Sequence, residues 1–137
     1  MKKYLNFVSN LNVLLKAKSE DLDNEFIISG IIDKFFIQFE LGWKVMKETL
    51  IYEGNMMANT GSPREIIKAA YTVYFDFMDD EVWIEMLKCR NDMTHIYYGE
   101  AAKKLVGKIL DDFIPEFQRL KDGLIELYGD DLEKIEY

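Results

Sequence analysis

A short stretch around residue 90 holds the side chains best suited to chemistry on a phosphate. Arg90 is a permanent cation that could hold a phosphate, and His95 is an acid–base group that titrates near neutral pH. At about 100° per residue, Asn91, His95 and Tyr98 share one helical face, with Ile84 in line nearer the helix start. Since this face is partly apolar, we expect a second protein chain to cover it. A homodimer would bring two copies of the face into one cleft, so we predict a dimer that buries Ile84 and Tyr98.

The opposite side of the same predicted helix is expected to pack into the core. Its apolar stripe consists of Val82, Met86, Cys89, Met93 and Ile96. The flank between the two faces carries Trp83, Leu87, Arg90, Thr94 and Tyr97. On an ideal helix Arg90 and His95 lie about 140° apart. They converge only if the arginine reaches around, the helix is distorted, or a partner chain supplies one of them. A lone histidine is also more often structural than catalytic, so spacing alone leaves both interpretations open.

The rest of the chain predicts an all-α fold, an antiparallel up-and-down bundle of four to five helices. Apolar residues recur at spacings of three and four, and the 137 residues include only two prolines. Ser62-Pro63-Arg64-Glu65 carries three helix-start signals: a capping serine, a proline at the first position and a glutamate three residues after the cap. The predicted helices span residues 2–18, 21–52, 63–77, 79–98 and 100–128, with a stop at Gly54, caps at Asp79 and Asp80, a break at Gly99 and a kink at Pro115. We predict one domain over residues 1–137.

The composition narrows the classes of function. The single cysteine, Cys89, excludes an internal disulfide and favours a cytoplasmic setting. No apolar run reaches the roughly 20 residues that a membrane span needs, and polar residues interrupt any N-terminal signal core. The net charge of −8 disfavours broad nucleic-acid binding but allows a local cationic site. It suits either docking onto a basic partner protein or simple solubility. One histidine is too few for a zinc or di-iron site. A nucleotidyltransferase active site is also not expected, because the sequence has no predicted strand with paired aspartates.

Several segments together resemble a known family. The spacing Arg90-x4-His95-x-Tyr97 reproduces the Arg-x4-His-x-Tyr signature of HepT-type HEPN proteins. Three further segments are similar to the nucleotidyltransferase substrate-binding proteins: Phe39-Glu40-Leu41-Gly42-Trp43-Lys44, Gly61-Ser62-Pro63-Arg64-Glu65, and Trp83 through His95. The similarity covers roughly residues 5–125.

The resemblance implies a small helical bundle, usually dimeric, encoded beside a minimal nucleotidyltransferase. It implies a metal-independent ribonuclease site at the dimer cleft, and no cofactor is expected. His95 would be the general acid and base, Arg90 would stabilise charge on the phosphate, and Asn91 would hold the ligand or orient its neighbours. The resemblance further implies that the protein is a ribonuclease toxin. The partner enzyme would neutralise it by adenylylating Tyr97.

Three hypotheses follow. The first is a ribonuclease toxin restrained by adenylylation. The second is a binding module that presents a nucleotide or another substrate to a nucleotidyltransferase without catalysis of its own. The third is a purely structural bundle. The Arg90-x4-His95-x-Tyr97 pattern favours the first over the third and separates the first two poorly.

Overall fold

The computed structural model describes residues 2–93 and 98–135, which are helical almost throughout and contain no β-strand. The all-α prediction is therefore confirmed. The elements are α1 (Lys2–Leu14), a 3-10 turn (Leu15–Ser19), α2 (Glu25–Tyr52), a 3-10 turn (Met56–Asn59), α3 (Pro63–Tyr74), α4 (Asp80–Asn91), α5 (Gly99–Lys108), a π-helical turn (Ile109–Phe113), α6 (Ile114–Tyr128) and a 3-10 turn (Gly129–Lys134).

Local capping residues decide where the helices begin. The Ser62 hydroxyl accepts from the Glu65 backbone N–H at 3.3 Å and bonds its carboxylate at 3.1 Å, with proline at the start of α3. Asp79 caps α4 through the backbone N–H of Glu81, as predicted. The predicted start of the second helix near residue 21 was wrong by about four residues. Asn24 is the true cap, since its side chain accepts from the backbone N–H groups of two residues in the first turn.

The predicted helix ends are less accurate than the starts. The second helix does end at Tyr52, and Gly54 follows with a φ of 89°, a conformation that favours glycine. The third helix ends at Tyr74 rather than near residue 77. The predicted end of the fourth helix at Tyr98 was wrong. It ends at Asn91, and Tyr98 has an extended backbone, with φ −131° and ψ 153°.

Contacts between the helices define a bundle with alternating directions. Helix α1 runs antiparallel to α2, because Lys3 pairs with Glu48 whereas Asn10 bonds the Lys34 carbonyl. The last helical segment runs parallel to α2, with ring contacts that pair Phe35 with Phe113 and Tyr52 with Tyr128. Helix α4 runs antiparallel to this segment, with Asp79 bonded to Glu116 and Glu85 paired with Lys108. The core lies between these helices and is rich in aromatic rings.

The last helical segment is irregular just before Pro115. Proline has no N–H to donate, and its ring crowds the carbonyl group four residues earlier. The π-helical turn Ile109–Phe113 ends two residues before Pro115 and separates α5 from α6. The irregularity that the sequence predicts at Pro115 therefore takes the form of a π-helical turn.

Candidate functional site

The core-facing side of helix α4 is only partly the one predicted. Of the predicted stripe, Met86 is fully buried, Val82 and Cys89 are partly buried against the core, and Met93 is 41% exposed. Ile96 lies outside the described residues. Trp83 and Leu87, which were assigned to the flank, are buried as well, so the buried face is rotated toward them. The physical reason is the large ring of Trp83, which is fully buried.

Trp83 is held by two distant parts of the chain. Its indole N–H donates to Glu116 Oε2 at 3.0 Å, and its ring packs against those of Phe39 and Phe117. A Cβ atom at Gly42 would lie 2.6 Å from the indole, so only glycine leaves room for it there. This position rotates α4 so that its Trp83 side faces α2 and α6.

The rotation directs Arg90 toward α2. Arg90 lies seven residues, or about two turns, after Trp83, and therefore on the same side of the helix. Its guanidinium approaches Glu40 Oε1 at 2.8 Å and donates to Asn91 Oδ1 at 3.2 Å. The Arg90 and Glu40 side chains are 36% and 31% exposed. A half-buried ion pair thus positions the arginine, and its guanidinium remains within reach of solvent.

Glu40 is the site residue that sequence reasoning did not assign. Its other oxygen, Oε2, accepts from the Trp43 indole N–H at 3.1 Å and lies 3.9 Å from Lys44 Nζ. These partners follow Glu40 by three and four residues, the spacing that places side chains together on a helix. That spacing was the signal in the sequence for a cluster of polar contacts around Glu40.

The other predicted residues are dispersed. Asn91 is exposed beside Arg90. Ile84 is partly buried and lines a surface pocket of about 610 Å³ with α3 residues, whereas Tyr98 is 83% exposed and lines another pocket of about 530 Å³ with the start of α2. Ile84 and Tyr98 therefore do not share one regular helical face, and the prediction that one dimer interface buries both residues loses the helical geometry on which it was based. His95 and Tyr97, the predicted acid–base residue and modification site, lie outside the described residues, and their roles remain predictions.

Two ionisable groups, one on α4 and one on α6, have a structural role. Burial, together with the nearby Asp92 charge, raises the pKa of the Cys89 thiol, so the thiol stays protonated at neutral pH and is a poor nucleophile. Burial also raises the pKa of Glu116, although the Asp79 backbone N–H, Arg119 and Trp83 each oppose that shift. Glu116 thereby joins the start of α4 to α6.

Neither a cluster of metal ligands nor a membrane-spanning helix occurs within residues 2–93 and 98–135. No group of three or more histidine, cysteine, aspartate or glutamate side chains there could hold a metal ion. No helix in the same part of the chain is long and apolar enough to cross a membrane.

A comparison with protein families gives a match over most of the chain. The family model described as “Nucleotidyltransferase substrate binding protein like” matches residues 1–126. No curated protein matches the chain. The family match covers most of the chain and includes α2, α4 and the segment between α4 and α5.

Proposed function

Because the chain belongs to the nucleotidyltransferase substrate-binding protein-like family, we propose that it is the partner subunit of a minimal nucleotidyltransferase and a HepT-like ribonuclease toxin. The observation that best supports the proposal is the placement of Arg90. Glu40 and Asn91 hold its guanidinium at the exposed end of α4, immediately before the segment that contains His95 and Tyr97. The proposed protein is a homodimer, in which two such ends form one cleft.

The proposed reaction needs no metal ion. His95 removes the proton of a ribose 2′-hydroxyl, whose oxygen bonds the adjacent phosphorus while the bond from phosphorus to the 5′-oxygen breaks. Protonated His95 then acts as the acid and gives its proton to the leaving 5′-oxygen, which restores the base, and the other product is a 2′,3′-cyclic phosphate. Arg90 stabilises the negative charge that develops on the phosphate oxygens. Asn91 holds the ligand or orients Arg90.

The proposed control is adenylylation of Tyr97 by the partner enzyme. The tyrosine oxygen bonds the α-phosphorus of ATP, pyrophosphate leaves, and the phenolic proton passes to solvent. The attached AMP brings a bulky, negatively charged group close to Arg90 in the sequence. The AMP phosphate would then pair with the Arg90 guanidinium, and the nucleotide would obstruct the cleft. Both effects would stop RNA cleavage.

One observation favours a second candidate, a non-catalytic subunit that binds substrate for the nucleotidyltransferase. The family description names substrate binding rather than cleavage. In this candidate, Arg90 and Asn91 recognise a substrate that the partner enzyme modifies.

The first experiment is RNA cleavage in excess chelator by the wild type and by the His95→Ala, Arg90→Ala and Lys88→Ala variants. We expect His95→Ala and Arg90→Ala each to lower the cleavage rate by at least about a hundredfold, since each removes a group that acts in the transition state. Lys88→Ala is the matched control, because Lys88 is an exposed cation on the same helix. It should retain most of the activity.

Intact mass after incubation with the partner enzyme and ATP completes the test. The wild type should gain one AMP, whereas Tyr97→Phe should gain none. AMP transfer without any RNA cleavage by the unmodified wild type would favour the non-catalytic candidate. AMP transfer to Tyr97→Phe would contradict the assignment of Tyr97.

A further inference from the structure

A pocket between the starts of α2 and α5 is not used by the proposed reaction. It has a volume of about 530 Å³, and we call it the Phe26–Tyr98 pocket. Ile28 and Ala102, both buried, line it together with these two aromatic residues. An apolar floor with aromatic residues beside it is a common form of binding surface.

The two aromatic residues have the exposure expected of an interaction surface. Phe26 is 86% exposed and Tyr98 is 83% exposed. Large aromatic side chains usually bury most of their surface, and they are enriched where one protein binds another. The backbone of Phe26 is fixed, because its N–H donates to the capping Asn24 side chain at 2.8 Å. Binding would therefore require little ordering of the backbone here.

The charged residues of the pocket are mostly acidic. Asp23, Glu25 and Glu100 are exposed and line the pocket. Among the described residues that line the pocket, Lys103 is the one cation, and its Nζ lies 3.9 Å from Asp23 Oδ1. A phosphate would meet three carboxylates against a single lysine, so the pocket disfavours RNA and nucleotides. A cationic ligand meets both carboxylates and aromatic faces.

We propose that the Phe26–Tyr98 pocket is the docking surface for an arginine-bearing segment of the nucleotidyltransferase partner, an inference that rests on the proposed function. A guanidinium is planar, so it stacks on an aromatic ring and also forms paired hydrogen bonds with a carboxylate. The pocket offers both partners in one place. Lysine, a point charge, would use the carboxylates but gain less from the rings.

The position of the pocket agrees with the chemistry that the partner would perform. Tyr98, which lines the pocket, directly follows Tyr97 in the sequence. An enzyme that adenylylates Tyr97 must bring its catalytic centre to that tyrosine. Docking on the Phe26–Tyr98 pocket would hold the enzyme beside the segment that it modifies, without occupying Arg90.

The test is calorimetric titration of the partner nucleotidyltransferase, which we expect to be encoded by a neighbouring gene, into the full-length protein and its variants. Phe26→Ser should raise the Kd by at least about tenfold, as loss of a central aromatic contact does in many interfaces. A Glu25→Lys, Glu100→Lys double variant should also weaken binding and reduce its dependence on salt. The control is Met57→Ser, which removes another highly exposed apolar side chain (81%) away from the pocket. It should bind within about twofold of the wild type.

Each outcome separates this inference from the function on which it rests. If the wild type binds and Phe26→Ser binds equally well, the docking surface is wrong and the partnership stands. If the wild type does not bind, both are wrong. Sedimentation of the chain alone tests another occupant: conversion of a dimer into a monomer by Phe26→Ser would assign the pocket to a second copy and overturn the inference.

Discussion

The two ends of α4 differ in how firmly they are held. At its start, Trp83 is fully buried, its indole N–H is bonded to Glu116, and Gly42 leaves space for its ring. At its end, Arg90 and Asn91 are polar and at least partly exposed, and Arg90 is held by an ion pair. One 12-residue helix thus joins a rigid core contact to a polar surface.

The difference indicates a division of labour along the helix. Burial and hydrogen bonds at the start fix the rotation of α4 around its axis, and that rotation decides which side chains meet α2 at the other end. The polar end then needs only a short-range ion pair to place its guanidinium. Sites built on rigid elements in this way hold their geometry without a fully buried charge.

The largest effect should come from Trp83→Ala. It removes a fully buried ring and should lower the free energy of unfolding by about 3–5 kcal/mol. Urea denaturation followed by circular dichroism would measure the loss. Trp43→Ala is the matched control, since Trp43 is partly buried, and it should lose clearly less stability. Equal losses would contradict the assignment of Trp83 as the main anchor of α4.

An intermediate effect should follow from Glu116→Ala, because it leaves the Asp79 backbone N–H and the Trp83 indole N–H without their acceptor. We expect a loss of about 1–3 kcal/mol in the free energy of unfolding. Glu126→Ala is the control variant, since Glu126 is an exposed glutamate on the same helix. A decrease in the free energy of unfolding no larger than that of the control would contradict the role assigned to Glu116.

The same carboxyl should also make stability depend on pH. Its folded-state pKa is raised, mainly by burial, so protonation favours the folded state. Relative to Glu116→Gln, the wild type should be most stable below the ordinary glutamate pKa. That advantage should fall as the pH rises through the folded-state pKa and then level off. A difference that grew with pH would contradict the sign of the shift.

The smallest effect should be the coupling between Arg90 and Glu40. A double-mutant cycle with Arg90→Gln and Glu40→Gln should give a coupling free energy of at most about 1 kcal/mol, because solvent screens this half-exposed pair. Unfolding at low and high salt would measure it, and the coupling should shrink at high salt. A coupling as large as the Trp83→Ala loss would mean that both ends of α4 anchor the fold.

The sequence predicts the features that depend on neighbouring residues. The caps at Ser62 and Asp79 are such cases, since each side chain bonds a backbone group within three residues. The buried face of α4 was only partly predicted, because the burial of Trp83 depends on Gly42 and Glu116, which are 41 and 33 residues away from it. No periodicity within α4 contains that information.

The candidate site shows the same limit. Arg90 and Asn91 were identified from the sequence, and the structure places them in contact. The Glu40 contact was missed because it joins two helices whose orientation relative to each other the sequence pattern does not give. The interval from α4 to α5 was predicted as continuous helix, but Tyr98 is extended and precedes Gly99, whose φ is 64°.

The close approach of Gly42 to Trp83 also restricts how this sequence can change over generations. While the indole is present, any side chain at position 42 collides with it, so position 42 cannot be the first of the two to change. Replacement of Trp83 by a smaller residue leaves a cavity, which a larger residue at position 42 could then fill. We therefore expect the two positions to vary as a pair among relatives, with the change at position 83 coming first.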